Sequence, residues 1–211
     1  MFIEFYQDTV CPWCRIGKAN LDQALARWDG ERVSVRFKAF LLDPSLPPEG
    51  TDFRPLMAGK MAGPARVDQI FGRVTEAGLV AGVHFDFSNV TLMPNSFLSH
   101  QLIMLAPPQL ASKTFDAITK AYFEENVNIG DVDELVKIAE RTGITDIDVR
   151  QLLTEGAAAG RVLEDLESAR ELGIQGVPFI LINGRHALYG AQPVEALLRA
   201  LTEAAANIEE E

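Results

Sequence analysis

The chain has only two cysteines, Cys11 and Cys14, and both stand just after the apolar run FIEFY at residues 2–6, with Pro12 and Trp13 between them. No other feature restricts the fold as much. The apolar run reads as a buried strand. Beyond the cysteines, Leu21, Ala24, Leu25 and Trp28 fall at i, i+3, i+4 and i+7, one face of a helix ending near Asp29-Gly30. Val33, Val35, Phe37 and Ala39 then alternate with mostly polar neighbours, the period of a second strand. The opening is a strand–helix–strand unit whose first turn carries two thiols.

Residues 41–50 (LLDPSLPPEG) break regular structure with three prolines and a glycine. Helical stripes fill the region after them. Val67, Ile70, Phe71 and Val74 form one, with Pro64 as first helical residue and Gly78 as stop. FLSHQLIMLA (97–106) ends before Pro107-Pro108, and further periodic segments cover 110–126, 131–142 and 146–172, the last interrupted at GAAAG (156–160). The pattern then changes. FILI (179–182) reads as a buried strand, Asn183-Gly184 as a hairpin turn and RHALY (185–189) as the returning strand. Val194, Leu197, Leu198 and Leu201 mark a last helix after Pro193, and the IEEE tail is expected to fray. The order is βαβ, a helical middle, then ββα. It predicts an α/β fold in which residues 1–44 and 173–211 share one sheet and residues 45–172 form a helical insertion. No internal repeat is present.

The length suits one domain with such an insertion, and 47% apolar residues suffice for a core without a disulfide staple. A net charge of −11 repels nucleic acid and anionic membranes, so neither is expected as a partner. The N-terminus lacks the basic and apolar regions of a signal peptide, and no apolar run has the length of a membrane span, so a cytoplasmic location is expected. There, a close cysteine pair is redox-active or metal-bound. Zinc needs two more ligands, and His84, His100 and His186 have no paired spacing, so no metal site is predicted. Two inert core cysteines would not be expected at a strand-to-helix junction with a proline between them.

With Pro12 as first helical residue, Cys11 falls at the helix N-terminus, beside free backbone N–H groups and the positive end of the dipole, which stabilise a thiolate. Cys14 lies one turn further in and within disulfide reach. Cys11 is thus assigned as attacking thiol and Cys14 as the thiol that resolves the mixed disulfide. Arg15 and Lys18 read as a solvated helix face, and Asp8 as an opposing charge. Trp13, at the mouth of the site, is expected to be a partly exposed ring touching substrate.

CPWC, GIQGVPFILING (173–184), YGAQPVEALLRAL (189–201) and PNSFLSHQL (94–102) resemble the thioredoxin superfamily, its DsbA-like group and, in particular, the FrnE-like proteins. The resemblance spans nearly the whole chain. It implies a thioredoxin fold with an all-helical insertion over the cysteines. It implies a cis Val177–Pro178 bond facing them, with the Val177 backbone free to pair with substrate. It places Asn95 and His100 along the cleft, although His100 shares a helix face with Phe97 and Met104 and also reads as a core histidine. The implied activity is thiol–disulfide exchange on a protein or small-molecule thiol or disulfide, with no cofactor, glutathione open as co-substrate and a homodimer open. DsbA itself has histidine where Trp13 stands, which leaves oxidising strength undetermined. Two other readings compete. One is a glutathione-dependent isomerase or transferase like the 2-hydroxychromene-2-carboxylate isomerases, which share the fold and typically carry serine in place of the first cysteine. The other is a non-enzymatic holdase or biosynthetic accessory protein.

Overall fold

The computed structural model describes residues 1–206; the C-terminal IEEE run lies outside the described residues. β1 (Phe2–Gln7) leads through residues 8–11 into α1 (Pro12–Arg27), and β2 (Ser34–Ala39) returns parallel to β1 with Phe5 opposite Phe37. At the other end of the chain, β5 (Phe179–Ile182) pairs antiparallel with β1 and β6 (His186–Tyr189) with β5, before α9 (Val194–Ala206). The sheet order is β2-β1-β5-β6, so the two halves close one sheet as the chain pattern predicts. The hairpin turn holds Asn183 and Gly184 at φ 51° and 68°. This double positive φ favours Asn-Gly and matches the strand twist. Asn183 Oδ1 also accepts from the Phe2 N–H at 2.8 Å, tying the turn to the start of β1.

Between β2 and β5 lie β3 (Thr51–Asp52), α2 (Phe53–Lys60), α3 (Pro64–Ala81), β4 (Leu92–Met93), α4 (Phe97–Leu105), α5 (Pro108–Glu125), α6 (Val132–Thr142), α7 (Val149–Thr154) and α8 (Ala159–Glu171). The middle is helical except for the short antiparallel β3–β4 pair. The GAAAG stretch separates α7 from α8, where an interruption was expected. Gly78 is not a stop. The helix α3 runs on to Ala81 and ends on Gly82 in the left-handed region at φ 77°. A Cβ on Gly78 would lie 2.5 Å from the Phe85 ring, so this glycine serves close packing inside the helix.

Strand alternation gives the sheet two apolar faces. Ile3, Phe5, Ile180 and Ile182 join the main core with Ile16 and Leu21 of α1, Phe115 of α5 and Leu197 of α9. Tyr6, Phe179 and Leu181 point the other way, onto Ala169 of α8 and Ile174. On that side Asp165 accepts from the Ala39 N–H at 2.9 Å and pairs with Lys38, and Tyr6 hydrogen-bonds Ser168 at 2.9 Å. By packing, α8 therefore covers the back of the sheet, opposite α1. The insertion over the cysteines ends before α8 rather than at residue 172.

Arg15 and Lys18 are not solvated. α1 packs beside α5 on the front of the sheet, and both side chains are buried there with partners. Arg15 donates to the His84 carbonyl at 2.6 Å, pairs with Glu124 and stacks over Phe85. Lys18 reaches Asp22 at 2.5 Å and Asp116 at 2.6 Å. A single helical stripe of apolar residues could not reveal that a second element covers the polar side.

The insertion is joined to the sheet through Phe115, which stacks on Phe37 at 5.4 Å between centroids and meets Phe5 edge-on at 6.2 Å. Removing a fully buried ring leaves a cavity that neighbours fill only in part. Phe115→Ala should destabilise the protein by about 4 kcal/mol. A lower urea midpoint at unchanged m-value is the expected result.

Candidate active site

Cys11 is the N-cap of α1, in extended backbone at φ −91° and ψ 112°, with Pro12 opening the helix. Its carbonyl accepts from the N–H groups of Cys14 at 3.1 Å and Arg15 at 3.4 Å. No side chain caps the helix and its first turn holds no acid, so the end of the dipole is left to the thiol. The Cys11 thiol donates to the Val177 carbonyl across 3.7 Å. The Val177–Pro178 bond is cis. Close approach depends on Gly17, where a Cβ would stand 2.9 Å from Pro178 Cγ. The glycine lets α1 lie against the proline and fixes the distance between the first thiol and the Val177 backbone.

The two thiols are free and differ in environment. Cys11 is 4% exposed and lines a cavity of about 400 Å³. Cys14 is fully buried. Burial pushes its thiol well above the ordinary range, and the hydrogen bond with Cys11 and the nearby Cys11 charge act in the same direction.

Asp8, in the turn between β1 and Cys11, is 1% exposed and lines the same cavity. Its Oδ2 accepts from the Leu42 N–H at 2.8 Å, while Oδ1 lies 3.4 Å from both the Val10 N–H and His100 Nε2. A buried carboxylate is costly unless partnered. Here the partners hold the 41–43 segment against the cysteine turn. The sequence reading treated Asp8 only as a charge opposing the thiolate. Its position three residues before Cys11, directly after a buried strand, was the available signal that it is interior.

The structure brings Cys11, Pro12, Trp13 and Val177 together around the cavity, with Pro178 beside α1 and Cys14 beneath. Trp13 is 40% exposed at the rim. Asn95 and His100 do not line the cavity. Asn95 donates to the Leu46 carbonyl at 2.7 Å and accepts from the Phe97 N–H at 3.0 Å, so both ends of its amide are used to fix a loop. His100 is buried behind Asp8, with Nδ1 3.4 Å from Gln7 Nε2. Both act on the wall from outside: Leu46 and Asp8, which they hold, do line the cavity.

The wall opposite Cys11 is aromatic. Phe53, Phe71 and Phe87 stack at centroid distances of 5.4 and 4.3 Å and lie 15° and 9° from parallel. Phe87 ends VHFDF (83–87), a short alternating stretch that forms neither strand nor helix and to which the sequence pattern assigns no element. Among the described residues, no group of three His, Cys, Asp or Glu side chains is placed to hold a metal ion.

Residues 2–202 match the family of the DSBA-like thioredoxin domain. The chain is 26% identical over 203 residues to the uncharacterized protein YwbO of Bacillus subtilis (strain 168), covering 95% of this chain and 96% of that one. The structure is similar to that of the probable DsbA oxidoreductase SCO1869 from Streptomyces coelicolor. The TM-score is 0.89 at 28% identity, over 98% of this chain and 90% of that one. A 2-hydroxychromene-2-carboxylate isomerase shares the fold, with TM-score 0.73 at 15% identity over 100% and 98% of the two chains.

The raised Cys14 thiol has a consequence for stability. Folded and unfolded chains both hold this proton below about pH 8.5, the ordinary thiol value. Above it the unfolded chain releases the proton first, so the folded state loses relative stability as pH rises. Unfolding free energies of the reduced protein and of Cys14→Ala should therefore converge between about pH 8 and pH 10. A difference that stays flat across that range would show that the fold does not hinder ionisation of this thiol.

Proposed function

We propose that this chain, which belongs to the DSBA-like thioredoxin domain family, is a thiol–disulfide oxidoreductase in which Cys11 attacks and Cys14 resolves. The observation that carries this reading is the asymmetry of the pair. Cys11 caps a helix at the wall of a cavity, and Cys14 is sealed beneath it with its proton held. In the first step the Cys11 thiolate displaces one sulfur of a substrate disulfide and forms a mixed disulfide, and the leaving thiolate takes up a proton. Cys14 then loses its proton and attacks Cys11 sulfur. The enzyme disulfide forms, the second substrate thiol leaves, and two electrons have passed to the substrate. Low-molecular-weight thiols are the co-substrate class that would restore the dithiol. The reverse sequence oxidises a substrate dithiol. The Val177 backbone, beside Cys11, is the docking edge for an extended substrate.

No described helix is long and apolar enough to cross a membrane. A cytoplasmic setting is part of the same proposal, since in a reducing compartment a close cysteine pair is usually redox-active or metal-bound. The isomerase reading draws on the shared fold alone. It gives no role to Cys14, which sits one helical turn from Cys11 and within hydrogen-bonding contact of it. A purely accessory role leaves the placement of Cys11 at the cavity wall without a use.

Cys14 acts on the mixed disulfide at high effective concentration, so the adduct should be short-lived in the native protein. Cys14→Ser should accumulate disulfide-linked adducts in cells, visible on non-reducing gels, and Cys11→Ser should accumulate few. Equal trapping by both variants, or trapping by Cys11→Ser alone, would reverse the assigned roles. A Cys14→Ser protein carrying glutathione and no protein adduct would favour the glutathione-linked reading.

A further inference from the structure

We infer that the cavity beside Cys11 is a binding site for an uncharged aromatic small molecule bearing a disulfide or thiol, and that this class, rather than glutathione, is what Cys11 acts on. The inference rests on the oxidoreductase reading and adds its substrate class. The volume, about 400 Å³, lies in the range of small-molecule sites. Phe53, Phe71 and Phe87 line it as a stacked column that continues onto Phe85, so Phe71 and Phe87 present ring edges, and Met57, Met61 and Met93 also line the cavity. Ring edges and thioether sulfurs complement the face of an aromatic guest.

The charges in the lining point the same way. The cation there is Lys60, and it is already paired with Asp43, which also lines the cavity. Asp8 adds an acid. A guest carboxylate taken into this space would be desolvated without a free cation to meet it. Glutathione carries two carboxylates and a polar backbone and is a poor guest; a neutral aryl group loses little on entering. Cys11 borders the cavity, so a disulfide on the guest meets the thiolate as the ring meets the wall.

The exchange balances without further reagents in a single turnover. Reduced protein and an aryl disulfide give the Cys11–Cys14 disulfide and two aryl thiols; repeated turnover consumes two equivalents of a small-molecule thiol per cycle.

The test uses the full-length reduced protein in single-turnover reactions with bis(4-hydroxyphenyl) disulfide, glutathione disulfide and insulin. Each rate is divided by that of the same disulfide with free dithiothreitol to remove leaving-group differences. The normalised rate for the aryl disulfide should exceed that for glutathione disulfide by about a hundredfold. Ile70 lines the cavity and is only half-buried, so Ile70→Trp can fill the space with little disturbance of the core. It should lower the aryl-to-glutathione ratio about tenfold, and Phe71→Leu should lower it in the same direction by removing a ring edge from the lining. If wild-type protein reduces all three substrates and neither variant moves the ratio, the cavity assignment falls and the oxidoreductase reading stands. If wild-type protein reduces none of them, the oxidoreductase reading itself falls.

Discussion

The contact between the first turns of α1 and the Val177–Pro178 segment is the constraint on which the remaining structure depends. The two segments are more than 160 residues apart in sequence, yet the Cys11 thiol lies 3.7 Å from the Val177 carbonyl. They meet because β1 pairs with both β2 and β5, which places the end of β1 and the start of β5 side by side. Gly17 then decides how closely the helix can approach, since any side chain there would strike Pro178. Everything inserted between β2 and β5 has to leave the sheet and return to this point. The insertion answers that demand by packing α5 on the front of the sheet through Phe115 and returning through α8 across its back.

Closing the insertion over α1 buries two cationic side chains, and each is matched by carboxylates nearer the surface. Arg15 is held by Glu124 and the His84 carbonyl, and Lys18 by two carboxylates. Unmatched, either would cost more than most single packing contacts supply. The pairing also limits what these cations can lend to the thiols: Arg15 is adjacent to Cys14, but its charge is largely offset by Glu124. What Cys11 adjoins directly is the helix terminus, whose first turn holds no acid.

The sequence made the frame of the fold legible because its signals there are local. A strand of alternating polarity, a Cys-Pro helix start and an Asn-Gly hairpin each specify their own geometry, and all three stand where expected. The thiol pair was legible for the same reason. What was not legible depends on which elements touch. Gly78 reads as a helix stop until Phe85 is known to pack on it. Arg15 and Lys18 read as surface until α5 covers them, and α8 reads as part of the insertion until it is seen behind the sheet. Asn95 and His100 were drawn from a resemblance that marks a segment as important without saying why. The structure gives them work one layer out, holding Leu46 and Asp8, whose side chains do reach the cavity.

The burial of Cys14 settles how the site can run. With no surface of its own, Cys14 meets other molecules only through Cys11, so any disulfide it forms in the native fold is with Cys11. A free Cys14 thiolate is disfavoured while Cys11 is itself a thiol or thiolate, since burial and the neighbouring charge act together. Once Cys11 is in a mixed disulfide, that charge is gone and the sulfur of Cys11 becomes the electrophile facing it. In the proposed exchange, the charge beside the Cys14 thiol is thus removed by the step that creates its target, while burial, the larger cause, remains.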